Sequence, residues 1–236
     1  MGSRDAGRQD CLYLQFAKAP QAGRVKTRLQ ARLGARAACE LHCELLLHTA
    51  RQLQRVAAPR RELWVSGASA DSWLSRVARQ HGMVIRQQRG IDLGERMLHA
   101  LRDGLSRHRQ VILVGSDCPT LDPGYLREAA QCLRDHDMVW GPAVDGGYVL
   151  VGARRACAAC FRAIDWGSAA VMSQTLAQAR QQGVSHALLP ERADIDRPED
   201  LALWHAARAH EQLAGAESAD SDALLAAGRQ LCRCAV

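Results

Sequence analysis

Short apolar runs and amphipathic stretches alternate along this chain. Leu12 to Ala17 reads as a buried strand. Gly34 to Val56 carries Leu41, Leu45, Leu46, Leu53 and Val56 at helical spacing, which predicts an amphipathic helix. Leu63 to Ser66 predicts a second strand, Asp71 to Gln80 a short helix stopped by Gly82, and Met83 to Arg86 a third strand. A helix is expected from about Asp92 to His108, followed by the most apolar strand, Val111 to Val114. Beyond it come a helix from Pro123 to about Asp135 and two strands, Met138 to Gly141 and Tyr148 to Val151, joined through Asp145-Gly-Gly147. Ser168 to Gln181 is expected to be helical, and Val184 to Leu189 is the last strand. Pro198 opens a helix at its tolerated first position, with Glu199 and Asp200 in the first turn.

This alternation predicts an α/β fold: a single Rossmann-like domain with a mostly parallel central sheet and helices on both faces. Residues 1–10 are expected to be a disordered lead-in, 11–213 the domain, and 214–236 a linker and short C-terminal tail with a helix over 222–232. In such sheets ligands bind beyond the carboxyl ends of the strands. The segments at 18–28 and 115–121 both follow strands, so they should share one crevice.

Composition narrows the function classes. The net charge of +6 suits an anionic substrate as well as nucleic acid. The arginines are scattered, and only five Tyr and Phe are present to stack bases, so no nucleic-acid partner is expected. No apolar run reaches membrane-span length, and the N-terminus has no secretory-signal core; a cytoplasmic protein without a membrane partner is expected. Nine cysteines in a reducing compartment argue against a disulfide framework. Cys157-x-x-Cys160 and Cys232-x-Cys234 lack a second ligand pair at finger spacing, so buried or tail thiols are the expected reading.

One compositional oddity points to chemistry. The chain has two lysines, Lys18 and Lys26, against twenty-nine arginines. Both lie in Phe16-Ala-Lys-Ala-Pro-Gln-Ala-Gly-Arg-Val-Lys-Thr-Arg-Leu29, an apolar run followed by a basic loop and a helix-forming pattern. Lys and Arg are not interchangeable at tight phosphate sites, so a compact ammonium is implied here. Gly23 lets the backbone approach a ligand; Lys18, Lys26 and Arg28 can neutralise a di- or triphosphate; Thr27 can donate a hydroxyl or cap a turn. The alternative is a basic, solvated loop.

Carboxylates supply the other half. Asp117, just after the apolar central strand, is positioned as a ligand for a hard divalent cation, whereas Asp122-Pro123 suits helix capping. Asp145, in Gly141-Pro-Ala-Val-Asp-Gly-Gly-Tyr148, belongs either to a hairpin turn or to a substrate-facing loop, or to both. Asp194 and Asp196 precede the last helix and can close a metal site with Asp117, or cap that helix.

Taken together, these segments, with Asp92-Leu-Gly-Glu-Arg-Met97, resemble the GT-A fold of nucleotide-sugar transferases and sugar nucleotidyltransferases. Within it they resemble a bacterial family labelled arsenosugar-biosynthesis glycosyltransferases. Lys26-Thr-Arg-Leu29 is similar to a segment of 2-phospholactate guanylyltransferase, and Asp196-Arg-Pro-Glu-Asp-Leu201 to the Asp-Thr-Pro-Glu-Asp-Leu stretch of CMP-Kdo synthetases. The resemblance implies a transferase using a nucleotide-activated donor, with Mg²⁺ or Mn²⁺ on Asp117 and Asp196. It places Lys18, Gly23, Lys26, Thr27 and Arg28 around the donor and makes Asp117, Lys26 and Asp145 the catalytic candidates. The implied partners are a nucleotide sugar or nucleoside triphosphate and a small-molecule acceptor. Glycosyl transfer is the first expectation. Many GT-A glycosyltransferases carry Asp-x-Asp where this chain has Asp117-Cys-Pro119, a variation closer to the nucleotidyltransferase branch, so nucleotidyl transfer with pyrophosphate release is the alternative. A non-catalytic nucleotide-binding module is a third reading.

Overall fold

A computed structural model describes residues 9–56, 60–67, 72–213 and 219–234. The chain runs β1 (Gln9–Lys18), α1 (Gln30–Arg55), β2 (Arg60–Ser66), α2 (Ser72–Gln80), β3 (Val84–Gln87), α3 (Leu93–Leu105) and β4 (His108–Val114). It continues through α4 (Pro123–Asp135), β5 (Met138–Pro142), β6 (Tyr148–Ala153), α5 (Val171–Gln181), β7 (His186–Leu188), α6 (Leu201–Leu213) and α7 (Ala219–Cys234). The seven strands form one sheet in the order β3-β2-β1-β4-β6-β5-β7. Strand β6 is antiparallel to both its neighbours, β4 and β5; every other pair is parallel. The expected fold class is the observed one.

Strand alternation builds two cores. In β1, Leu12, Leu14 and Phe16 face one side with Val111 and Leu113 of β4, where α3 and α5 cover them. Tyr13 and Ala17 face the other side with Ile112 and Val114, under α1, α2, α4 and α7. These central side chains are almost wholly buried, and each Leu, Ile, Val or Phe among them contributes about 1.5–3 kcal/mol by leaving water. A third, smaller cluster joins Leu29, Leu41 and Leu45 to Ile195 and Trp204, docking α6 on the remaining face of α1.

Local signals fix the boundaries. Asp122 accepts a hydrogen bond from the Tyr125 amide at 3.0 Å with Pro123 in the first turn, so that aspartate is a cap as expected. Asp92 caps α3 in the same way through the Glu95 amide at 2.8 Å. At the far end of α1, the Arg61 guanidinium takes the carbonyls of Leu53, Gln54 and Val56 that the helix leaves open. The expected helix to His108 ends earlier, at Leu105. His108 pairs with Gln9 in the sheet, and Gly104 allows the close approach to Val111 that turns the chain back. Helix α5 likewise starts at Val171 rather than Ser168, and α1 is broken at Gly34 (φ 77°, ψ 159°).

Strand β1 begins within the stretch expected as lead-in; residues 1–8, Asp71 and 214–218 of the expected linker lie outside the described residues. Helix α7 packs on α1 and α2. Its Leu224 carbonyl accepts from the Trp73 indole at 2.8 Å, and Arg229 pairs with Glu44 at 3.0 Å. Among the described residues no helix is long and apolar enough to cross a membrane.

Candidate active site

Two strand ends are tied together by a buried polar chain. The Gln15 amide donates to the Leu46 carbonyl at 2.9 Å and to Ser116 Oγ at 3.0 Å; Ser116 Oγ in turn donates to the Phe16 carbonyl at 2.8 Å. Gln15 is wholly buried, so its two donor bonds replace lost water and set where β1, β4 and α1 meet. Asp117 follows directly. A crevice of about 470 Å³ opens here, lined by Lys18, Lys26, Thr27 and Arg28 from the first loop, by Asp117 after the central strand and by Asp196 near the end of the domain. The two segments expected to share a crevice do so.

Lys26 sits in the left-handed region (φ 48°, ψ 43°), a conformation that strains a non-glycine residue and persists where surrounding contacts impose it. Those contacts are visible. Its ammonium lies 2.8 Å from Asp117 Oδ1 and donates to the Ile195 carbonyl, and the side chain is only 3% exposed. Lys26 therefore does not project freely into the crevice but holds the aspartate, whose side chain stays 44% exposed. The other cations lining the cavity are Lys18, Arg24, Arg28, which pairs with Asp196, and Arg96 from α3, held by the Gly90 carbonyl at 3.0 Å. Five cationic side chains thus line the crevice against two carboxylates. Gly23 has φ 85° and open space around it; it turns the loop from outside the cavity wall.

Asp196 lines the crevice, but its carboxylate pairs with Arg28, and its amide is tied to Asp200 at 3.0 Å. The neighbouring Asp194 is the carboxyl that feels Asp117. The segment before it runs along the β5–β6 turn, with Val144 N to Arg192 O at 3.1 Å, and then meets β4, with Ile195 N to Asp117 O at 2.9 Å. Asp194, between these two tethers, lies within electrostatic reach of both Asp145 and Asp117. Burial first, then Asp145 and to a lesser extent Asp117, push its carboxyl up to about 6, and a backbone hydrogen bond and Lys26 oppose the rise only in part.

Asp145 itself accepts from the Gly147 amide at 2.9 Å, which makes it the turn former of the hairpin. It is not part of the wall of the main crevice. The turn is locked from outside. Gly146 has φ 88°, and a Cβ there would stand 2.2 Å from the Ala169 carbonyl oxygen. Tyr148 is half-buried against Trp166, ring centroids 6.1 Å apart. Gly94, within the Asp92–Met97 motif, is needed for a similar reason: a Cβ there would meet the Phe161 carbonyl at 2.3 Å.

Sequence reasoning missed several members. His42 of α1 lines the crevice and donates from Nε2 to the Lys18 carbonyl at 3.0 Å; burial keeps its ring neutral by lowering its pKa. Gln88 reaches the carbonyls of Ala17 and Trp64 at 3.2 and 2.9 Å and supports the end of β1. A polar residue in an apolar run, such as Gln15, was the available signal; nothing local marks His42 or Gln88.

Residues 49–168 match the family model described as an uncharacterized protein conserved in bacteria (DUF2064). That span includes Asp117 and Asp145 and excludes the 18–28 loop, Asp194 and Asp196. No curated protein matches the sequence. Among solved structures, a candidate nucleotide-diphospho-sugar transferase from Desulfovibrio desulfuricans G20 is 30% identical, with TM-score 0.78 over 95% of this chain and 97% of that one. The inositol-1-phosphate CTP transferase of T. maritima is 13% identical, with TM-score 0.58 over 87% of this chain and 97% of that one. CMP:2-keto-3-deoxy-manno-octonic acid synthetase, solved with CTP, is 12% identical, with TM-score 0.55 over 86% of this chain and 100% of that one. At 12–13% identity the likeness concerns the fold alone. The family model over about half of the chain and the 30% identity along nearly all of it agree: the chain belongs to the bacterial DUF2064 family, a transferase-class member of the GT-A-fold nucleotide-diphospho-sugar transferase superfamily.

Proposed function

We propose that the protein transfers a group from a nucleotide-activated donor to a small-molecule acceptor with the help of a divalent cation, and that the group is a sugar. The observation that carries this reading is the pairing of a strained, buried Lys26 with Asp117 at the mouth of a cation-rich crevice. The relative at 30% identity, described as a candidate nucleotide-diphospho-sugar transferase, supports the choice of donor.

The residues suit a hard cation. Asp145 and Asp117 both act electrostatically on Asp194, whose carboxyl is raised by burial first and by these carboxylates in addition. Asp117 would hold the ion, with Asp194 better placed than Asp196 as its companion because Arg28 occupies Asp196. A bound Mg²⁺ or Mn²⁺ supplies charge neutralisation for the donor phosphates and the leaving group. Lys26 fixes the Asp117 carboxylate. Lys18, Arg24, Arg28 and Arg96 draw the phosphates in and offset charge as it develops. The turn at Asp145 stands beside Asp194 and is where an acceptor would be met.

Nucleotidyl transfer is the second reading, favoured by the five cations, which suit a triphosphate. Titration calorimetry with Mg²⁺ or Mn²⁺, against separate panels of nucleotide sugars and nucleoside triphosphates, tests both. Metal-dependent nucleotide-sugar binding, lost in Asp117→Ala with circular dichroism unchanged, is expected. Triphosphate binding alone, with pyrophosphate release in the presence of a phosphorylated acceptor, would replace the first reading with the second.

A further inference from the structure

Cys39 and Cys43 lie one helical turn apart on α1, so both thiols leave the same face. Helix α7 brings Cys232 between them from the other end of the chain. Its Sγ is 2.6 Å from Cys39 Sγ and 3.9 Å from Cys43 Sγ. All three are free thiols, and their exposures are 0%, 2% and 0%. They are the one group of three or more Cys, His, Asp or Glu among the described residues whose ligand atoms lie within 4.8 Å of one another. Thiols commonly act as small hydrophobes in a core. The Cys39–Cys232 approach goes beyond that role, since non-bonded heavy atoms rest at about 3.5–4.0 Å, and Cys43 lies at ordinary contact distance beside the pair.

The donor set selects the ligand. Mg²⁺ and Ca²⁺ require oxygen, and none is offered. A structural Zn²⁺ requires four ligands. Among the described residues no imidazole nitrogen or carboxylate oxygen joins the three sulfurs within 4.8 Å, so a fourth ligand is missing. What remains is a soft ion content with three sulfurs. The frame is built without it. Glu44, one residue beyond Cys43, accepts from Arg229 of α7 at 3.0 Å and from Arg208 and Trp204 of α6 at 3.2 and 3.3 Å.

We propose that Cys39, Cys43 and Cys232 form a binding site for a soft, thiophilic ion that accepts three thiolates, fastening α7 to α1. Each thiol gives up its proton on ligation. With Cu(I) three S–Cu bonds form and three protons go to solvent. With arsenous acid three S–As bonds form, three As–OH bonds break and three waters leave, with no change of oxidation state.

The test uses the full chain, reduced with a phosphine and desalted without oxygen, then titrated separately with Cu(I), arsenite and Zn²⁺. Native mass spectrometry counts bound ions, and X-ray absorption counts sulfur neighbours. One Cu(I) or one arsenic per chain with three sulfurs is expected, falling to near zero in Cys43→Ser and unchanged in Cys132→Ser. Cys43 is the discriminating position, because a Cys39–Cys232 disulfide would leave it a spectator. Ion binding that survives Cys43→Ser overturns the proposal. So does a reduced chain that binds no Cu(I) or arsenite while its oxidised form shows the Cys39–Cys232 link. Should Cys43→Ser fail to fold, hydrogen exchange of the unsubstituted chain decides. Slower exchange through α7 on adding the ion supports the site, and unchanged exchange overturns it.

Discussion

Replacing Asp194 by Asn should stabilise this protein at neutral pH, against the usual outcome for a buried polar substitution. Asp194 lies within electrostatic reach of Asp145 and Asp117, and its carboxyl is raised from 3.8 to about 6 by burial first and by those carboxylates in addition. Between those two values the folded chain binds a proton that the unfolded chain has released. Stability therefore falls as pH rises through this window and levels off above about pH 6. At about 1.4 kcal/mol per pH unit the full penalty approaches 3 kcal/mol, and residual solvent around the side chain lowers it to ~1–2 kcal/mol. Asn keeps the shape and removes the charge. Urea unfolding of both proteins at pH 4.5 and 7.5 should show the variant gaining ~1–2 kcal/mol on the parent at the higher pH. Added Mg²⁺ should stabilise the parent more than the variant, because the variant offers the ion one carboxylate fewer. A difference that stays constant across pH, or that favours the parent at pH 7.5, would refute the placement of Asp194 among like charges.

Lys26→Arg keeps the charge, yet a guanidinium does not fit a side-chain site that is 3% exposed and matched to a single ammonium. Nucleotide affinity should fall, and stability should drop by about 1–3 kcal/mol; wild-type affinity by calorimetry would rule this out. Gly146→Ala puts a Cβ 2.2 Å from the Ala169 carbonyl at φ 88° and should lower the urea midpoint by the equivalent of about 2 kcal/mol or more. Trp73→Phe leaves the Leu224 carbonyl without its indole donor. It should cost about 1 kcal/mol and speed amide exchange across α7 more than across α3.

The fold was legible where a local rule governs it. Short apolar runs located all seven strands, helical spacing located the main helices, and Asp122-Pro123 named its own cap. Juxtapositions set by the sheet order were not legible. That β6 inserts between β4 and β5 follows from long-range pairing, which no window of sequence records. For the site, the two lysines and Asp117 were found from composition and position, and both line the crevice with Asp196. Their pairing was not foreseeable, because Lys26 reaches Asp117 and Ile195 only once the last loop of the domain has crossed β4. Spacing alone left Asp194 and Asp196 equivalent and the resemblance chose Asp196, whose carboxylate Arg28 occupies. Cys232 lies 193 residues from Cys39, so spacing rules for metal ligands could not join them.

The docking of α7 on α1 also bears on how the chain is made. Helix α1 emerges early in synthesis, with Cys39, Cys43, Leu46, Leu47 and Ala50 on a face that Leu224, Leu225 and Cys232 help to cover. Strand β1, beside it, waits for β4 before its second edge is paired. For most of translation, then, the growing chain carries a bare thiol-rich helix face and an open strand edge. Such surfaces invite association with other chains and chaperone capture. The thiols converge only after this interval, which makes the nascent chain, rather than the finished protein, the form most open to oxidation.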